Sequence, residues 1–150
     1  MGIFDTFDVN ASGLTAQRYR MDIISQNVAN ANTTRTADGT PYVRKVVSFE
    51  EKGKGLTTSF SRVFDTIRSK YTGAGVRVRG VFEDTWTEAN MVYDPSHPDA
   101  DENGYVTYPN VNTITEMTNL IDASRAYEAN ATAFEASKSM ASTGLSLGKS

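Results

Sequence analysis

Apolar residues recur every seven positions at both ends of the chain, and that spacing constrains the fold more than anything between. Near the start stand Phe7, Leu14, Met21 and Val28, flanked by Ala11, Ile24 and Ala31. Near the end stand Leu120, Tyr127, Phe134 and Ala141. A second row four residues along carries Ser124, Ala131, Lys138 and Leu145, with Met117 before it. Adjacent rows at this period form one stripe on a helix and ask for a partner surface. The small members Ser124, Ala131 and Ala141 let a neighbouring helix come close. Such stripes are most often ordinary core. Their placement at opposite ends of a chain with only a small centre points instead to terminal helices that pack on each other and on neighbouring subunits.

The centre reads as β-rich. Residues 1–30 form the first helix, with Gly13 inside it at a cost of about 1 kcal/mol relative to alanine, which tertiary packing must offset. Asn27, Asn30 and Asn32 lie where that helix ends, because their amides compete for nearby backbone groups. Tyr42–Phe49 is rich in β-branched and aromatic residues and predicts a strand. Gly75–Val81 alternates apolar and basic residues, as a half-exposed strand does, and Trp86 is the expected large anchor beyond it. Met91–Pro95 is expected to lead into a long polar loop. Asn103-Gly104 marks a hairpin-type turn before a last short strand, Tyr105–Tyr108. Thr113, three residues before Glu116, fits a capping box for the second helix. Residues 50–74 are the least informative, with a short element possible at Phe60–Ile67. The expected fold is therefore α+β: an N-terminal helix and turn over 1–34, a β-rich middle over 35–108 containing the variable window 50–74, and a C-terminal helix over 109–150.

Charge divides the middle. Pro41–Gly80 holds nine Lys or Arg against Glu50, Glu51 and Asp65, whereas Val81–Glu135 holds eleven Asp or Glu against Arg125 alone. Opposite blocks of this kind can pair head to tail between copies, although solvated faces are the commoner explanation. The net charge of −3 gives no footprint for nucleic acid. There is no cysteine, which removes disulfides, thiolate metal sites and cysteine nucleophiles. No apolar run reaches the roughly 18 residues of a membrane span. The N-terminus carries acid where a cleavable signal carries base, so the chain is expected to stay inside or to leave by a route without signal cleavage.

Catalytic and ligand motifs are fragmentary. Asp99-Ala-Asp101-Glu-Asn103-Gly104 resembles the first half of a calcium loop, but Asn110 stands where the bidentate glutamate belongs and flanking helices are missing. His97 is the only histidine and sits between two prolines. No Gly-x-Ser-x-Gly or Gly-Lys-Ser/Thr context accompanies it. The expectation is a non-enzyme with no metal, no cofactor and no small-molecule substrate.

Longer segments carry a family resemblance. Residues 11–34, Ala-Ser-Gly-Leu-Thr-Ala-Gln-Arg-Tyr-Arg-Met-Asp-Ile-Ile-Ser-Gln-Asn-Val-Ala-Asn-Ala-Asn-Thr-Thr, resemble the signature of the rod and hook axial proteins of the bacterial flagellum. Val92–Val106, Pro109–Asn112, Ser124–Thr132 and Lys138–Met140 resemble the proximal-rod branch of that family. Gln26 and Ala31 depart from the family pattern, and the match is weak across 50–74. The resemblance implies a structural subunit of the basal body. It would be exported by the flagellar type III apparatus and would assemble helically with copies of itself and other rod proteins. It would link the membrane ring to the distal rod and hook and transmit torque, in the periplasmic space. Another axial protein and, far behind, a calcium-binding module are the alternatives; a calorimetric titration with calcium separates the latter. The residues expected at subunit interfaces are Leu14, Met21, Ile24, Val28, Leu120, Ser124, Tyr127, Ala131, Phe134, Ala141 and Leu145. Asn27 and Asn30 are expected to fix the exit from the first helix, and Arg125 and Glu128 to make polar contacts between neighbours.

Overall fold

A computed structural model describes residues 3–52 and 73–148 of the 150-residue chain. The element suggested at Phe60–Ile67 lies outside them. Helix α1 runs Ile3–Ala29 and helix α2 runs Thr113–Leu147, with strands β1 (Lys45–Glu51), β2 (Val76–Glu83), β3 (Asn90–Tyr93) and β4 (Tyr105–Tyr108) between. The strands form two separate two-stranded sheets, β1–β2 and β3–β4. This is the expected α+β arrangement of long terminal helices around a small β-rich middle. The chain groups into two compact units, one of residues 1–19, 49–79 and 124–150, the other of residues 20–48 and 80–123.

Local chemistry sets the element ends. Asn30 closes α1: its amide donates to the Gln26 carbonyl at 2.9 Å, and its side-chain oxygen accepts from the Thr33 hydroxyl at 3.2 Å. The start of α2 differs from the expected capping box. Asn112 is the cap, its Oδ1 accepting from the Ile114 and Thr115 amides at 3.0 and 3.2 Å. Asparagine serves this position as well as any residue. Glu116 is thereby free to turn inward. β1 begins at Lys45, because Tyr42 and Arg44 are engaged by side chains described below. Met91 and its neighbours are a strand and not the start of a loop: Asn90, Met91, Val92 and Tyr93 pair antiparallel with Tyr108, Thr107, Val106 and Tyr105. Gly104, at φ +81°, makes the turn into β4. Trp86 anchors nothing, being 73% exposed.

In the first unit the early part of α1 meets the late part of α2. Phe7 and Phe134 stack at 5.1 Å between centroids, and the Asn10 amide reaches the Ser137 hydroxyl at 3.5 Å. Along α2 the row Leu120, Tyr127, Phe134 and Ala141 is half-buried, as its spacing predicts. The second row is displaced by one residue from the expected one. Glu116, Ala123 and Ser137 are buried and Asn130 is half-buried, whereas Met117, Lys138 and Leu145 face solvent. The inward row is polar or small, so a hydrophobic pattern does not reveal it.

Many hydroxyl and amide side chains bond to their own helix. On α2, Thr118, Asn130, Thr132, Ser137 and Thr143 each donate to the carbonyl four residues earlier, at 2.8–3.0 Å. On α1, Thr15 does the same to Ala11. These residues need no outside partner, and the helix around them is slightly loosened.

Gly13 shows what offsets its helical cost. A Cβ there would stand 2.8 Å from Asn130 Oδ1 and 3.0 Å from Asn130 Cγ. The amide is pinned from the other side by its bond to the Ala126 carbonyl at 2.8 Å. We expect Gly13→Ala to destabilise the chain by about 1 kcal/mol in urea denaturation, despite a helix-propensity gain of similar size. Gly13→Ala with Asn130→Ala should recover most of that loss; a stabilised single variant would contradict the close packing.

Candidate assembly surfaces and the polar cluster that frames them

The residues expected at subunit interfaces fall into three groups. Ile24 and Asn27 are buried inside the second unit, at 6% and 1% exposure. They shape the subunit and are not on its surface. Leu14, Met21 and Val28 on α1, Asn30 just past its end, and Leu120, Ser124, Tyr127, Ala131, Phe134 and Ala141 on α2, are half-buried. Arg125, Glu128 and Leu145 are exposed. The structure adds an outward stripe that the seven-residue rows missed. Ile114, Met117 and Ile121, at 76%, 55% and 54% exposure, follow helical spacing along the first turns of α2. The i, i+3, i+7 spacing was readable in the sequence; it was obscured because Met117 had been assigned to the inward row.

The acidic loop engages its carboxylates within the protein. Asp101 Oδ1 accepts the Asn103 and Tyr105 amides at 2.9 and 2.8 Å. Asp99 accepts the Thr34 hydroxyl at 2.8 Å and faces Arg35 at 3.6 Å. The Asp99 amide donates to His97 Nδ1 at 3.1 Å. The bonds of Asp101 and His97 form turns, and those of Asp99 tie the loop to residues 34 and 35. Among the described residues no group of three His, Cys, Asp or Glu side chains is placed to hold a metal ion, and no helix is long and apolar enough to cross a membrane.

The densest polar constellation lies inside the second unit. Glu116 is 1% exposed; its Oε1 accepts Arg44 Nη2 at 2.7 Å and Nε at 3.0 Å, and its Oε2 accepts the Asn27 amide at 3.0 Å. Arg44 Nη1 also donates to Asp84 Oδ2 at 3.2 Å. Asp84 accepts the Thr87 amide and hydroxyl at 3.1 and 2.9 Å. Asn27 fills every hydrogen-bonding capacity of its amide: Lys45 N–H and Tyr42 O–H donate to Oδ1, both at 2.9 Å, while Nδ2 serves the Lys45 carbonyl at 2.8 Å and Glu116. Asn110 accepts from the Arg44 amide at 2.8 Å and donates to the Asp84 and Thr87 carbonyls at 2.6 and 3.1 Å. Every charge here is answered by another charge or a fixed donor. No nucleophile, open position or unpaired base is left for chemistry, so the cluster is a structural joint. Sequence reasoning missed Arg44, Asp84 and Asn110, and took Glu116 for a cap. Only Asp84 with Thr87, an aspartate three residues before a threonine, was locally legible as a turn.

Burial and the hydrogen-bonding partners oppose each other at Asp84 and Arg44, and the partners prevail. Burial alone would push the Asp84 carboxyl up, but the Thr87 donors and Arg44 outweigh it and hold the group below its ordinary value. Burial would likewise ease the proton off Arg44, but Glu116 and Asp84 hold it more firmly than usual. Burial, followed by the charges of Glu116 and Glu83, pushes the Tyr42 hydroxyl up. We expect Arg44→Ala to cost about 3 kcal/mol in chemical denaturation, the lower end for a broken buried pair because the arginine side chain is 24% exposed. A loss below about 1 kcal/mol would show the cluster to be dispensable. A depressed carboxyl stabilises the fold fully above its unfolded value of 3.8 and ceases to do so as pH falls through the lower folded value. Asp84→Asn should therefore be less stable than the parent at neutral pH, with the gap closing in acid; a gap that widens there would contradict the assignment.

Comparison with known proteins identifies the kind of chain that this joint and these helices belong to. The family model "Flagella basal body rod protein" matches residues 7–35, and "Flagellar basal body rod FlgEFG protein C-terminal" matches residues 102–147. The two matches fall on α1 with its exit turn, and on β4 with α2. The flagellar basal-body rod protein FlgC of Bacillus subtilis is 44% identical over 99% of this chain and 100% of its own length. That of Borreliella burgdorferi is 42% identical over 98% of each chain, and that of Salmonella typhimurium 38% identical over 99% of this chain and 100% of its own. Identity at this level over whole chains carries the architecture with it, and the chain belongs to the FlgC family of flagellar basal-body rod proteins.

Proposed function

We propose that this protein is a structural, non-enzymatic subunit of the flagellar basal-body rod, in its proximal part. It assembles helically with copies of itself and with other rod proteins, between the membrane ring and the distal rod and hook, and passes torque along them. The observation that carries this reading is the pairing of full-length FlgC similarity with an apolar stripe left in water on α2. Ile114, Met117 and Ile121 gain by burial at roughly 25 cal/mol per Å² of apolar area, less the cost of ordering the contact. The half-buried rows at Leu14, Met21 and Val28 and at Leu120, Tyr127 and Phe134 fix how the two helices present that stripe. Arg125 and Glu128 extend that face at helical spacing, Leu145 is exposed nearer the end of α2, and the contacts of all three are with neighbouring subunits. A contact between two different patches repeats without closing and builds a tube. Export without a cleaved signal, through the flagellar apparatus into the periplasmic space, completes the proposal.

The test is a strain that carries only a Met117→Asp, Ile121→Asp variant. Both side chains are more than half exposed, so purified variant should keep its helical circular dichroism and lie within about 0.5 kcal/mol of the parent in stability. Cells should export the variant yet fail to swim, and their purified basal bodies should lack rod and hook in electron micrographs. Normal motility would overturn the proposal for this face.

A further inference from the structure

The β3–β4 hairpin leaves a second apolar surface in water, and nothing above accounts for it. Its register puts Met91, Tyr93 and Tyr105 on the same face, opposite to the one that buries Val106. Met91 and Tyr93 are 66% and 64% exposed, and the two tyrosine rings stand edge to face at 5.2 Å. Trp86, just before the strand, is 73% exposed. Large side chains concentrated in this way mark a contact surface more often than a solvated one. The segment around them carries one sign of charge: Glu88 and Glu102 are exposed, and Asp94 and Asp101 belong to the connecting loop.

The complementary sign is present on the same chain. Strand β2 alternates Val76 and Val78, half-buried, with Arg77 and Arg79, both exposed. Arg77 is met at 2.6 Å by the half-buried Glu50, and Arg79 pairs with no carboxylate among the described residues. The wider sequence has the same polarity, nine basic residues against three acidic ones over 41–80 and eleven acidic against one basic over 81–135. We infer that the acid-bordered aromatic face of the β3–β4 hairpin docks on the basic face of β2 in a second copy of this chain. Tyrosine and tryptophan supply stiff contact area, arginine lies flat on aromatic rings, and the charges set the register. The two patches differ, so the contact is heterologous and runs in one direction along an assembly. The inference rests on the proposed rod role, and it names the partner for a surface other than the α2 stripe.

Charge reversal tests it. Full-length protein is examined by sedimentation velocity at low and high salt, together with Glu88→Lys, Glu102→Lys and Arg77→Glu, Arg79→Glu double variants. All four side chains are exposed, and each variant is first shown to melt like the parent. The parent should self-associate at low salt and weaken about tenfold or more when salt shortens the reach of exposed charges. Each variant alone should sediment as a monomer, and an equimolar mixture of the two should associate again. A Trp86→Ser, Met91→Ser variant with its charges intact should also be monomeric. Association of either charge variant at parental strength, a mixture that stays monomeric, or a parent that is monomeric at every salt concentration would each overturn the inference. Rods built normally by charge-reversed subunits in cells would remove this contact while leaving the rod role standing; rods lost only with the α2 stripe would do the same.

Discussion

A carboxylate almost entirely removed from water has to find its hydration elsewhere, and Glu116 finds it in Arg44 and Asn27. The rest of the second unit is arranged to make that possible. Arg44 is held by a second acid, Asp84, so that two negative charges share one guanidinium. Asn27 then ties the end of α1 to the first residue of β1 by bonding both the N–H and the C=O of Lys45, much as a neighbouring strand would. Asn110 closes the group by joining the Arg44 and Asp84 backbones ahead of α2. The end of α1, residues 42–45, the turn at 84–87, Asn110 and the start of α2 are fixed through side chains that hydrophobic burial alone would not order. Among the described residues of this unit the buried apolar set is small: Ile24, Tyr42, Val106 and Ala123. Polar clusters of this kind add less net stability than an apolar core of the same size, but they penalise any other arrangement heavily, because each wrong packing strands a charge. That penalty singles out one arrangement of the end of α1, the start of β1 and the start of α2 within this unit.

The same economy of apolar material explains the two exposed surfaces. A chain with so few buried large side chains keeps Ile114, Met117, Ile121, Met91, Tyr93 and Trp86 outside, where other subunits can cover them. The close approach at Gly13 and Asn130 lets the two helices of the first unit meet there without a large side chain between them. The larger residues on the surface are those on which the proposed contacts with other subunits draw.

How much of this was legible follows from what each feature is made of. The terminal helices were, because Leu14, Met21, Val28 and Leu120, Tyr127, Phe134 repeat at a period only a helix satisfies. β2 was, through the alternation of Val76, Arg77, Val78 and Arg79, and so was the turn at Gly104. The inward row of α2 was not, because Glu116, Asn130 and Ser137 are polar and their burial depends on partners far away in sequence. Glu116 misled for a second reason: three residues after Thr113 it satisfies a local capping pattern, and Asn112 removed the need for it. Met91–Tyr93 was assigned to a loop because both strand faces are rich in large or polar residues and Pro95 follows. Its status as a strand comes from pairing with Tyr105–Tyr108. The α2 stripe at Ile114, Met117 and Ile121 is present in the sequence, but the seven-residue spacing draws Met117 into the row of Ser124 and Ala131 and leaves Ile114 and Ile121 in none. Family membership was the most legible feature of all, since it rested on long contiguous segments and not on any single contact.

The side chains that bond back into their own helix have a mechanical meaning. Thr118, Asn130, Thr132, Ser137 and Thr143 each share a carbonyl that already serves the helix, and they are spread over most of α2. Such sharing weakens the backbone ladder slightly at each point and allows a small bend there. No proline interrupts α2, and the sharing sites run from Thr118 to Thr143. A twisting load on such a helix would be taken up in small bends spread along that length, as in a spring.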